Sequence, residues 1–91
     1  MNITVEYTAQ LKARTGCSDE TFEVDSSCDL PALFSAIAGR HGDPVREIVL
    51  DAQDTPVQVL CFVNDKQVDW GAPPQLAEGA KITIMSPISG G

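Results

Sequence analysis

The sequence predicts an α+β domain: a mixed sheet of four to five strands with one main helix packed on one face. Three observations lead there. Apolar and polar residues alternate near the start, in the middle and near the end of the 91-residue chain, which is the period of half-buried strands. One stretch, 30–41, carries helical spacing instead. The resulting order is strand, strand, helix, strand, short strand, strand, which places the helix on one face and leaves the other to solvent.

Asn2 to Leu11 alternates, with Ile3, Val5, Tyr7 and Ala9 on one side and Asn2, Thr4, Glu6 and Thr8 on the other. Lys12 to Asp19, with Gly16 inside, reads as a connecting loop. Thr21 to Val24 then returns as a strand, Phe22 and Val24 inward and Glu23 and Asp25 outward, forming a hairpin with the first. Asp29 is placed to cap a helix beginning at Leu30, with Pro31 in the first turn where no donor is missed. Leu30, Leu33, Phe34, Ile37 and Ala38 form its apolar stripe. Arg40 and His41 suit the last turn, and Gly42 suits a left-handed cap. Asp43-Pro44 can start a shorter helical turn through Leu50.

Val57 to Val63 alternates again, Asn64-Asp65 marks a turn, and Gln67 to Trp70 reads as a short return strand. Leu76 anchors the loop that follows, and Glu78-Gly79-Ala80 turns the chain into Lys81–Met85. There Ile82 and Ile84 face inward, Thr83 and Met85 outward. Leu60, Phe62 and Met85 stand on the solvated side. If the strands bring them together they make a docking patch; if not, they are ordinary exposed apolar residues. Trp70 fits the rim of that patch or a cover over the loop after it, and the sequence supports both.

The formal charge is −7, from thirteen acids against six bases. Phosphate backbones and anionic membranes would be repelled, and a partner with a basic surface attracted. The longest apolar run, Val59 to Val63, is far below a membrane span. No targeting pattern precedes the first strand, so the expected compartment is the cytoplasm. Cys17, Cys28 and Cys61 are odd in number and scattered, which argues against a disulfide framework and against a metal site. No phosphate loop, dinucleotide glycine motif or nucleophile elbow occurs. His41 is accounted for by the helix dipole, and Asp19, Glu20, Glu23 and Asp25 by a solvated face. The chain is not expected to be catalytic alone.

That leaves the end, Ser86-Pro87-Ile88-Ser89-Gly90-Gly91. Residues 1–85 are expected to be the domain and 86–91 a flexible diglycine tail, reaching about 20 Å if extended. A diglycine end is either a frayed terminus or an acyl group slender enough to enter a partner's channel. A carboxylate is a poor electrophile until its oxygen becomes a leaving group, and nothing in this chain binds a nucleotide. Activation would come from another protein.

The whole chain resembles the ubiquitin-like sulfur carriers: the molybdopterin synthase small subunit, the thiamine-pathway carrier and the carrier of an alternative cysteine synthesis. The resemblance lies in Ile3-Thr4-Val5-Glu6-Tyr7 with Leu11 and Gly16, in Leu30-Pro31-Ala32-Leu33, and in Phe62-Val63-Asn64-Asp65. It continues through Leu76 to Ile82 and is most specific in Met85 to Gly91. It implies a β-grasp fold with the first and last strands parallel at the centre. It further implies that a ubiquitin-activating-type enzyme adenylates Gly91 with ATP, after which sulfur converts it to a thiocarboxylate. No cofactor bound by this chain itself is implied. Chain length and the Pro-Ile-Ser-Gly-Gly ending favour the molybdopterin branch, in which the tail enters the large synthase subunit. Sulfur carriage for thiamine or cysteine synthesis and isopeptide modification of proteins remain as alternatives. The implied site is Gly91 with Gly90, and the implied partner contacts are Leu60, Phe62, Met85, Pro87, Ile88 and Ser89.

Overall fold

The computed structural model describes residues 1–53, 55–57 and 60–85. Five strands, β1 (Asn2–Tyr7), β2 (Asp19–Glu23), β3 (Leu60–Val63), β4 (Lys66–Gln67) and β5 (Lys81–Met85), form one sheet in the order β2-β1-β5-β3-β4. β1 and β5 run parallel, and every other pairing is antiparallel. This is the β-grasp arrangement, with the first and last strands at the centre.

The main helix, α2 (Leu30–His41), forms where the apolar stripe predicts it. Asp29 caps it by accepting from the Ala32 N–H at 3.0 Å. Leu30, Leu33, Phe34, Ile37 and Ala38 are all buried, in one core with Ile3, Val5, Phe22, Ile82 and Ile84 from the sheet. Leu76 is buried there too, as its anchoring role requires. A short helix α3 (Asp43–Val49) follows at once, contributing Val45 and Val49.

Four local expectations are corrected. β1 ends at Tyr7, and residues expected to prolong the strand or form a loop make helix α1 (Ala9–Thr15). The alternation of Tyr7, Ala9 and Leu11 mimics a strand, but Ala9 has φ 50° and turns the chain out of the sheet. Leu11 is then buried from the helix, and Gly16 (φ 78°, ψ 9°) ends it with its N–H on the Lys12 carbonyl. Second, Gly42 has positive φ but ψ −164°, so it is not a left-handed helical cap. Its N–H closes α2 on Ala38, while its carbonyl accepts from Val45 and Arg46 to open α3. A single residue serving two helix ends needs that extended turn. Third, the return strand is only Lys66–Gln67, because Asn64 and Asp65 (φ 50° and 70°) form a two-residue turn that pairs Val63 with Lys66. Fourth, Val57 lies outside β3, its N–H bonded to the Val49 carbonyl instead.

Candidate functional site

β5 is the last described strand, and alternate residues divide it between two environments. Ile82 and Ile84 are fully buried, whereas Met85 is 38 % exposed. Met85 pairs with Leu60 of β3, itself 42 % exposed. These are the two exposed large hydrophobic residues among those described. Phe62, two residues along β3 and half-buried, stands opposite Thr83 and completes an apolar strip on the open face. The predicted grouping of Leu60, Phe62 and Met85 is therefore what the strand register produces. Pro87, Ile88, Ser89, Gly90 and Gly91 lie outside the described residues.

The neighbouring part of the open face is polar. Lys81 Nζ lies 3.4 Å from Asp65 and 3.6 Å from Glu6, and the Thr83 hydroxyl donates to Glu6 at 3.3 Å. Asp65 and then Glu6 push the Lys81 ammonium above its ordinary range. The cation is thus held at home, beside an apolar strip that has no charge of its own. Trp70 belongs elsewhere: its ring meets buried Phe34 edge-to-face, centroids 5.5 Å apart. It covers the helix side of the sheet and is not at the patch rim.

On the covered side, reaching β1 at Tyr7 opposite Ile84, is a cluster that the sequence reading missed. Glu20 is not part of a solvated acidic face; its side chain is 16 % exposed. It accepts from the Tyr7 hydroxyl, contacts His41 Nε2 and takes Arg40 at 3.1 Å. Burial raises the Glu20 carboxyl, but the hydrogen bonds from Tyr7, His41 and Arg40 outweigh it, and the net shift is downward. Burial and the same carboxylate push the Tyr7 phenol up, so it stays a neutral donor. Arg40 also donates to the Thr21 carbonyl and stacks 3.9 Å over Phe22. His41 therefore has a specific partner beyond the helix dipole. The cluster ties the C-terminal end of α2 to β1 and β2, and its polar groups are spent on one another. The available signal was spacing: Glu20 is two residues from inward-facing Phe22, hence on the same side of β2.

Among the described residues, no three of His, Cys, Asp and Glu stand together as metal ligands, and no helix is long and apolar enough to cross a membrane. Cys17 and Cys28 are half-buried and Cys61 is buried, each as a free thiol.

The ThiS family model matches residues 5–91, from the middle of β1 through the final diglycine. The chain belongs to the ThiS family. It is a ubiquitin-like sulfur carrier of the ThiS type, as the sequence resemblance implied. Among solved structures, SAMP1 from Haloferax volcanii is similar at 18 % identity with a TM-score of 0.83, covering 100 % of both chains. A protein designated molybdopterin converting factor, subunit 1, from Pyrococcus furiosus matches at 23 % identity and TM-score 0.74, covering 97 % of this chain and 99 % of that one. A chain of the complex of subunits 1 and 2 of molybdopterin-converting factor from Helicobacter pylori matches at 20 % identity and TM-score 0.60, covering 100 % of both. At these identities the structures share the fold with this ThiS-family chain. No curated protein sequence gives a significant match.

Proposed function

We propose that this ThiS-family chain carries sulfur as a thiocarboxylate on Gly91 and delivers it to the large subunit of a molybdopterin synthase. One observation carries the sulfur-carrier reading, the ThiS family match over residues 5–91, and the similarity in fold to chains designated subunit 1 of molybdopterin converting factor favours the molybdopterin branch. The Leu60–Met85 pair at the head of the same segment supports it by offering a partner an uncharged surface beside the exit.

The chemistry starts from an ionised carboxylate, whose reference pKa is near ~3.5. A ubiquitin-activating-type partner supplies ATP, forms the Gly91 acyl adenylate and releases pyrophosphate. Hydrosulfide then attacks the Gly91 carbonyl carbon; the new C–S bond replaces the C–O bond to phosphate, AMP leaves, and loss of the thioacid proton gives the thiocarboxylate. Glycine at 90 and 91 leaves that carbon unshielded. Leu60, Phe62 and Met85 dock the sheet, while Pro87, Ile88 and Ser89 line the entry of the tail into the partner.

Incubation with the cognate activating enzyme, ATP and a sulfur donor should raise the intact mass by the difference between sulfur and oxygen. The loaded chain, mixed with the large subunit and its pterin precursor, should then lose that sulfur to product. Absence of the mass change, with normal activity after deletion of Gly91, sinks the proposal. A modifier role is the second reading, favoured by the similarity in fold to small archaeal modifier protein 1 of H. volcanii. Lysine conjugates bearing a diglycine remnant in cells would support it over the carrier.

A further inference from the structure

The β1–α1 junction holds a polar group that the proposed chemistry does not use. Thr8 occupies the N-cap position of α1 with extended backbone (φ −130°, ψ 160°), yet its side chain makes no cap hydrogen bond. Threonine at this position ordinarily turns its oxygen to the N–H of the second or third helical residue. Here the hydroxyl donates across the sheet to the Ile84 carbonyl at 3.2 Å. The backbone register of β1 with β5 ends at Tyr7 opposite Ile84, so the Thr8 side chain continues the ladder where the main chain departs.

Ala9 makes that departure possible. Its φ of 50° lies in the left-handed region, which is uncommon for a residue with a Cβ. The junction thus breaks two local preferences, a cap bond forgone and a backbone twisted. Their joint geometric result is that the chain leaves β1 while the Thr8 hydroxyl stays on β5. On the other flank Ile84 pairs with Cys61 and Met85 with Leu60. The end of β5 is gripped from both sides immediately before the residues that follow Met85.

We propose that Thr8 is a positioning residue, fixing where and in what direction β5 hands over to the reactive tail. Its consequence for sulfur loading rests on the carrier reading; its grip on β5 does not. Thr8→Val preserves shape and removes the hydroxyl, and Thr8→Ser restores it. The Met85 amide should exchange with solvent about fivefold faster in Thr8→Val, the factor one net hydrogen bond is worth, and return to the wild-type rate in Thr8→Ser. The Val5 amide, within β1, should change little and serves as the internal control. With the cognate activating enzyme, kcat for thiocarboxylate formation should fall about fivefold in Thr8→Val, with KM held within about twofold because the docking strip is intact. Unchanged Met85 exchange, an equal rise at Val5, a serine variant as impaired as valine, or faster exchange with normal kcat each overturn the proposal. If the wild-type chain takes up no sulfur, the carrier reading fails, and the exchange comparison alone decides whether Thr8 holds β5.

Discussion

The two faces of the sheet use the same strands for different ends. On the covered face Ile82, Ile84, Ile3 and Val5 are fully buried in one core with α2. On the open face the intervening residues of β5 and β3 are Thr83, Met85, Leu60 and Phe62, and two of them, Met85 and Leu60, are exposed. Among the described residues, only the first set packs beneath a helix. Burial on one face supplies most of the stability, while the exposed strip contributes little to it and is free to meet a partner. Because side chains alternate strictly along a strand, stability and docking are assigned to adjacent residues.

The division can be broken most severely from the covered face. Phe34→Ala opens the core beneath α2 and removes the ring that Trp70 packs on. It should cost about 3–5 kcal/mol and lower Tm by more than about 12 °C, measurable by calorimetry. On the open face, Leu60→Thr with Met85→Thr, which removes the apolar strip but keeps neutral strand-forming residues, should leave Tm within about 3 °C. The same pair should lower kcat/KM for loading by the activating enzyme at least about tenfold. A double variant as unstable as Phe34→Ala would erase the distinction between the faces.

A smaller effect is expected at the Glu20 cluster, which joins the covered face to the end of α2. Glu20→Gln should cost about 1–2 kcal/mol at neutral pH. The folded-state pKa of Glu20 is depressed, so its contribution is fully present above the unfolded value near ~4.3 and is lost as pH falls through the lower folded value. Urea titrations from pH 7 downward should show wild type and variant converging in the acid range; a gap that widens there contradicts the assignment. Smallest is a reactivity difference within β3. Cys61 sits between Leu60 and Phe62 but points to the covered face, where burial pushes its thiol up to about 11. A thiol reagent at pH 8 should leave Cys61 unmodified in the native chain and label it on denaturation, while Leu60 beside it stays solvent-exposed.

Much of this was readable from local spacing. The α2 stripe, the Asp29 cap, the Asn64-Asp65 turn and the inward isoleucines of β5 each depend on neighbours a few residues away. The outward direction of Leu60, Phe62 and Met85 was readable for the same reason. Their contact was not, because the register of β3 on β5 is set by residues 25 positions apart, as in Leu60 and Met85. α1 was missed because Tyr7, Ala9 and Leu11 keep the strand period of two, and the decision lay in the backbone of Ala9. Gly16 after Lys12 and Arg14 was the helix-end signal available. Glu20 was misjudged by charge when its position relative to Phe22 already placed it inward.

β5 lies between β1 and β3, and its partner on one side is far away in the chain. Glu6 and Thr83, joined by a side-chain hydrogen bond, are 77 residues apart. Such a pairing carries the loop-closure cost of nearly the whole molecule and ranks among the slower contacts to form. During synthesis from the N-terminus, β1 and β3 both emerge before the strand that separates them, each with an edge that has no neighbour to bond. The strand that fills this gap also bears the tail. Completion of the sheet and, on the proposed carrier role, presentation of Gly91 therefore wait on the same late event, and a half-made chain has neither.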